Sequence, residues 1–289
     1  LKKLIAKEED AALRLDQFIN QNLPELSRAA CSKFIERGLV SVNGKAQTKS
    51  GFKIRVKDKV EIDLSDLDPK NKPEIDLEVI YEDDTCVVIN KPAGVLVHSK
   101  GSFNQEATVA TWLDPRTKDL NSNRGGIVHR LDRLTSGVMI CAKDIDSMHW
   151  LQKQFSLRKV KKTYIAIVAG QVEPPEAIID IPIDRNPKKP QTFRANSNGK
   201  SAVTGYKVLS SNSKYSLIEL KPTTGRTHQL RVHLNHIGHP IIGDPLYNGE
   251  AAERMYLHAL ELELTLPSHE RKVFSTKQPK EFNIKMKSA

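Results

Sequence analysis

Residues 126–143 read GIVHRLDRLTSGVMICAK, and they set one carboxylate, Asp132, between two guanidinium groups, Arg130 and Arg133. Leu131 and Leu134 are its apolar neighbours, Thr135-Ser136-Gly137 reads as a turn, and Val138-Met139-Ile140-Cys141 is β-prone. A short polar loop feeding a buried strand is a common mounting for a reactive side chain. An aspartate near fixed arginines stays ionised, because the opposite charge favours the charged form. That describes a nucleophile or base at neutral pH and excludes a general acid. The plainer reading is a surface ion-pair cluster, worth about 0 to 1 kcal/mol and no chemistry.

Downstream of this loop, strands and helices alternate. Trp150, Leu151, Gln154 and Phe155 recur at helical spacing within 147–159, the basic run Arg158-Lys159-Val160-Lys161-Lys162 follows, and residues 163–168 form a strand that includes Tyr164. Residues 201–206 and 217–220 continue a sheet, and 222–233 read as a turn opening a helix. Arg185, Lys188, Lys189 and Arg194 make a basic, proline-rich loop that suits RNA or simply solvent. Upstream, Val87-Val88-Ile89 is a buried strand ending in the turn Asn90-Lys91-Pro92-Ala93-Gly94, where Lys91 either touches a polyanion or caps the turn, the second role being favoured.

The first 64 residues have a separate rhythm. Leu13, Leu15, Phe18 and Ile19 mark an amphipathic helix stopped near Pro24. Ser27 caps a second helix that buries Ala30, Cys31, Phe34 and Ile35 and ends at Gly38. Residues 39–42 then meet Asn43-Gly44, a hairpin signal, and 56–64 supply another alternating strand. Arg28, Lys33 and Arg37 share the other face of the second helix, with Lys45 past the turn. Residues 65–74, SDLDPKNKPE, are polar and proline-bearing and read as a linker to a larger domain at 75–289.

HRLDRLTSG resembles the active-site signature of the RluA-type pseudouridine synthases, which isomerise uridine in structured RNA. NKPAGVLVH is similar to that family's first motif, and GRTHQLRVH followed by GHPIIGDPLYN to its third. The helix-helix-hairpin start resembles the small RNA-binding module named after a ribosomal small-subunit protein. The resemblance implies an α+β fold whose catalytic domain is a mixed, largely antiparallel sheet, with the module in front of it. It implies that Asp132 is the catalytic aspartate, Tyr164 the active-site tyrosine and Arg226 the arginine paired with that aspartate. Arg130 is then the side chain that fills the gap left by a flipped base, with His129 in support, while Arg28, Lys33, Arg37 and Lys45 grip phosphates. Large-subunit ribosomal RNA is the favoured target and transfer RNA remains possible.

Composition agrees with that direction. Lys and Arg number 45 against 35 Asp and Glu, and the net charge of +10 calls for an anionic partner. No apolar run approaches the roughly 18 residues of a membrane span, and LKKLIAKEED turns acidic before a signal-peptide core forms, so a cytoplasmic protein away from membranes is expected. Cys31, Cys86 and Cys141 are far apart and suit neither a disulfide framework nor zinc. His228, His233, His236 and His239 are spaced so as to scatter around a helix, so no metal site is expected. The isomerisation needs no redox step and no group donor, so no cofactor is expected, and a monomer is. Two other classes stay open: an RNA-binding protein without catalysis, and a different RNA enzyme. Neither the clustered carboxylates of a metal-dependent nuclease nor the glycine-rich loop of a methyltransferase is present in the sequence.

Overall fold

The computed structural model describes residues 1–65, 74–98, 106–118, 120 and 125–288. The chain divides into two compact units, Leu1–Ile75 with His98–Thr108, and Asp76–Val97 with Val109–Ala289. Most of the stretch read as a linker, 65–74, lies outside the described residues.

In the smaller unit the elements are β1 (Lys2–Ile5), α1 (Leu15–Asn22), α2 (Arg28–Glu36), β2 (Val40–Val42), β3 (Lys45–Ala46) and β4 (Lys59–Ile62). Ser27 Oγ accepts from the Ala30 amide and so caps α2, as its position before the apolar run requires. The turn between β2 and β3 puts Asn43 at φ 52° and Gly44 at φ 78°, and positive φ at both central residues is what a tight hairpin matching strand twist demands. The strand order is β1-β4-β2-β3. Leu15, Phe18, Ile19, Phe34, Ile35, Val40, Val60 and Ile62 form one buried core under that sheet.

The larger unit contains β5 (Glu78–Glu82), β6 (Cys86–Lys91), α3 (Val109–Leu113), β7 (Ser136–Ala142), α4 (Ile145–Ser156), β8 (Lys161–Ala169), β9 (Glu176–Asp180), β10 (Ile183–Arg185), β11 (Phe193–Ala195), β12 (Val203–Ser211), β13 (Tyr215–Pro222), α5 (Gln229–His236), β14 (Leu257–Thr265), β15 (Arg271–Ser275) and α6 (Lys280–Lys287). Its main sheet runs β5-β6-β7-β14-β8-β13-β12-β9, with β15 on β14, while β10 and β11 pair apart from it. Every neighbouring pair in the main sheet is antiparallel except β7 and β14, where His258 faces Ser136 and Ala259 faces Gly137. A Cβ at Gly137 would lie 2.1 Å from the Ala259 carbonyl oxygen, and its φ is +116°, so only glycine lets the two backbones meet there. This junction fixes the loop just ahead of β7 beside the middle of the sheet. All seven residues of β7 are buried, which explains its unbroken apolar run.

Candidate active site

Asp132 lies in the loop that precedes β7. Its carbonyl accepts from the Thr135 amide at 3.1 Å, closing a turn. Next to it, the Arg133 carbonyl accepts from the Gly94 amide at 2.8 Å, and Arg133 Nε donates to the Gly94 carbonyl at 3.0 Å. Lys91, wholly buried, donates to the carbonyls of Pro92 and Val95 at 2.9 Å each and of Arg133 at 3.3 Å. Burial pushes its amine down to about 7, against the opposing pull of the Asp132 charge. Lys91 thus ties the β6 turn to the Asp132 loop, and Arg133 faces that turn.

The guanidinium that meets Asp132 comes from α5. Arg231 Nη1 donates to Asp132 Oδ2 at 3.1 Å, while its Nε and Nη2 grip both oxygens of Asp244 at 2.7 and 2.8 Å. All of Gln229, Leu230, Arg231, Val232, His233 and Leu234 are buried, so an arginine at this point of the helix needs a carboxylate, and Asp244 meets that need. Burial opposes the Arg231 charge, but Asp244 and then Asp132 outweigh it and hold the guanidinium firmly protonated. Arg226, the partner implied by resemblance, lies in the turn before α5 and donates instead to the Ser201 carbonyl at 3.0 Å. The pairing expected for Arg226 is therefore corrected to Arg231. The physical reason is that α5 begins at Gln229, and its first turn aims the second arginine of the motif inward.

A cavity of about 560 Å³ opens over Asp132. Tyr164, on the central strand β8, forms part of its wall, as do Lys162, Arg226, His228 and Arg231. Burial, and then the Asp132 charge, raise the Tyr164 phenol, which stays protonated. Lys162 donates to the Thr224 carbonyl at 2.9 Å, and burial followed by the nearby Arg158 lowers its amine to about 8. The Asp132 side chain is 20% exposed toward this space, and its Oδ1 accepts no hydrogen bond from any described residue. Arg130 stands exposed at the rim. His129 is half-buried in the cavity wall: its Nε2 accepts from the Ile140 amide at 3.1 Å and its ring stacks on Phe155 at 4.4 Å, and burial, then the Lys162 charge, push it down to about 3.

The third-motif histidines are engaged in hydrogen bonds. His233 spans Thr204 Oγ1 at 3.0 Å and the Ile181 carbonyl at 2.9 Å, and His239 bonds the Ala169 carbonyl at 2.8 Å. Among the described residues no three His, Cys, Asp or Glu side chains converge as a metal site would require. No helix among them is long and apolar enough to cross a membrane.

A half-used carboxylate in the wall of a cavity also lined by a tyrosine and several cations suits chemistry on a polyanion's sugar or base. Residues 85–236 match the family described as RNA pseudouridylate synthase. The chain belongs to the RNA pseudouridylate synthase family. Residues 13–60 of this synthase match the S4 domain. A protein of Aquifex aeolicus described as an uncharacterized RNA pseudouridine synthase is 40% identical over 83% of this chain and 78% of its own. A protein of Nitrosomonas europaea named ribosomal large subunit pseudouridine synthase D is 38% identical over 92% of this chain and 80% of its own. Among solved structures, human RNA pseudouridylate synthase domain containing 4 superposes with a TM-score of 0.58 at 32% identity, covering 71% of this chain and 90% of that one.

In the synthase the structure brings Asp132, Tyr164, His129, Arg130 and Arg226 to one cavity, with no hydrogen bond or ion pair from either arginine to Asp132 and with His129 tied to the β7 backbone. In the smaller unit Arg28, Lys33, Arg37 and Lys45 are all exposed, but Arg28 Nε donates to Asp16 at 2.9 Å. Sequence reasoning missed Arg231, Asp244, His228, Tyr247 and Lys162. The available signal was an arginine between Leu230 and Val232 inside a helix, which is a buried cation in search of an acid.

Proposed function

We propose that this synthase converts uridines of large-subunit ribosomal RNA to pseudouridine, with Asp132 as the essential carboxylate, Arg231 as its electrostatic partner and Tyr164 as the surface under the uracil ring. The observation that carries the reading is the asymmetry of Asp132, which lines the cavity: Oδ2 is held by Arg231, while Oδ1 accepts no hydrogen bond from the described residues. In the reaction the bond from the sugar to uracil N1 breaks and a bond to C5 forms. C5 loses its proton and N1 takes one up. An ionised carboxylate beside the sugar, kept in place by a cation, is what that sequence calls for. The uridine must leave its stack to reach the cavity, and the Arg130 guanidinium, exposed at the rim, is suited to stack where the base was.

The ribosomal target is supported by the relatives named ribosomal large subunit pseudouridine synthase D, among them one of Borreliella burgdorferi, 36% identical over 96% of this chain. Residues 1–64 supply affinity through Lys33, Arg37, Lys45 and Arg28, and residues 75–289 perform the chemistry. All the residues lining the cavity belong to the larger unit, and the reading we adopt is that the synthase acts as a monomer in the cytoplasm.

The deciding experiment is tritium release from ribosomal RNA labelled at uridine C5. Asp132→Asn keeps the size and removes the charge, so release should fall by about 10³-fold or more while RNA binding is retained. Turnover within a few-fold of wild type would remove Asp132 from this role. Release from transfer RNA alone would redirect the target.

A further inference from the structure

A short chain of groups ends on the reactive carboxylate. The Tyr247 hydroxyl accepts from the Phe193 amide at 2.8 Å and lies 2.8 Å from His228 Nδ1. His228 Nε2 faces Asp132 Oδ2 at 3.8 Å, the same oxygen that Arg231 holds. The imidazole is boxed edge-on by the Phe193 and Tyr247 rings, each 5.6 Å away between centroids. Its backbone sits in the left-handed region, φ 57°, at the start of α5. A non-glycine residue in that conformation persists when its surroundings hold it there, and such residues concentrate at working sites.

The proton inventory of this chain has one solution that satisfies both ends. Asp132 and Arg130 face the ring from the loop, Arg231 from α5, and Asp244 and Tyr247 from the segment after α5. Burial lowers the imidazole, and the two arginines reinforce that against the two acids, so the ring is neutral and carries one proton. Tyr247 already accepts from Phe193 and has one proton to give, and among the described residues His228 Nδ1 is its acceptor. Nδ1 therefore accepts, and the imidazole proton sits on Nε2. An ionised carboxylate can only accept, so a proton on Nε2 also suits the other end of the chain.

We propose that His228 is a positioning residue for the isomerisation: its Nε2–H, oriented by Tyr247, closes on Oδ2 of Asp132 when RNA binds and, together with Arg231, turns Oδ1 toward the nucleotide. This rests on the reading of Asp132 as the essential carboxylate. At 3.8 Å the contact is longer than a hydrogen bond, and catalytic hydrogen bonds commonly tighten only in the substrate complex. His228 acts through Asp132 and does not contact the reacting atoms.

The test is the single-turnover rate of tritium release at saturating ribosomal RNA, with RNA affinity measured alongside, for His228→Leu, His228→Gln, Tyr247→Phe and the Leu/Phe double variant. Glutamine presents an amide N–H near the position of Nε2. His228→Leu should slow release by about tenfold or more with affinity within about twofold, and His228→Gln should recover most of that loss. Tyr247→Phe should slow release several-fold alone and add nothing to His228→Leu, since its effect passes through the imidazole. Because Tyr247→Phe leaves the left-handed backbone untouched, it keeps the test decisive if His228→Leu melts below the assay temperature. A His228→Leu variant as fast as wild type overturns the proposal. So does affinity falling in step with rate, which would make His228 an RNA contact, and so do additive effects in the double variant. Asp132→Asn separates the two levels: if it stays active the underlying reading fails, and if it is dead while His228→Leu is normal only this inference fails.

Discussion

The tripeptide Arg-Leu-Asp occurs twice in this chain, at 14–16 and at 130–132, and its two aspartates have opposite surroundings. Asp16 is saturated. Arg14 Nε and the Gln17 amide donate to Oδ1 at 3.0 Å each, and Arg28 Nε and Arg14 Nη2 donate to Oδ2 at 2.9 and 3.3 Å. Its side chain is 3% exposed. Asp132 has one full donor, Arg231, at one oxygen, and among the described residues neither of its flanking arginines, Arg130 or Arg133, donates to it. Adjacency in sequence therefore predicts the ion pair at Asp16 and fails at Asp132. A carboxylate whose lone pairs are all used holds a fold together, and one left half-used can do chemistry.

The comparison breaks most sharply at charge removal. Asp132→Asn and Asp16→Asn are the same substitution, yet the first should abolish tritium release from a stable protein. The second should leave chemistry at saturating RNA within a few-fold of wild type. Equal losses of activity from both would show that saturation does not separate the two roles.

Geometry sharpens it next. Arg231→Lys keeps a charge but cannot span both oxygens of Asp244 while reaching Asp132, so the rate should fall by about 10²-fold. Arg226→Lys keeps all that a rim cation offers and should stay within roughly threefold. Rates measured under single turnover, with melting curves to show both variants folded, decide between them. The reverse order would restore Arg226 as the partner.

This pair also marks where sequence reading stops. Helices α1 and α2, the Asn43-Gly44 hairpin and the buried run of β7 were legible because each depends on spacing within a few residues. The parallel junction of β7 with β14 joins Gly137 to Ala259, and β1 pairs with the distant β4. Neither leaves a local periodic mark. The Arg231 contacts are of the same kind, since Asp244 lies 13 residues ahead and Asp132 lies 99 behind. Motif resemblance found the segment and the tertiary fold chose the residue.

Stability is the third measure. Arg14 and Arg28 hold the Asp16 carboxyl below the ordinary carboxylate range, against the cost of burial. A folded-state pKa below the unfolded value gives stability that is fully present above the unfolded value, about 4, and lost as pH falls through the folded one. Asp16→Asn should therefore lower the stability of the smaller unit by about 1 to 3 kcal/mol at pH 7, the arginines being partly exposed, and flatten its acid limb. Chemical denaturation of wild type and variant between pH 7 and 2 reads both effects. Parallel pH curves would show that Asp16 contributes packing alone.

The smallest effects concern the exposed cations of α2 and the hairpin, which divide as the two aspartates do. Lys33 and Lys45 are exposed and make no ion pair among the described residues, whereas Arg28 is engaged by Asp16. If Lys33 and Lys45 touch phosphates, each lysine changed to alanine releases one fewer counterion, and the slope of log affinity against log salt should fall by roughly 0.7 to 0.9 per residue. Stability should be unchanged, because a solvated lysine supports no packing here. Arg28→Ala should differ in kind: it strips a donor from Asp16, so the smaller unit loses stability along with affinity. Binding of ribosomal RNA across a salt series, with denaturation midpoints for the same variants, distinguishes them. A salt slope unmoved by Lys33→Ala and Lys45→Ala would mean that this face meets only solvent. An Arg28→Ala variant as stable as wild type would mean that Arg14 alone suffices to hold Asp16.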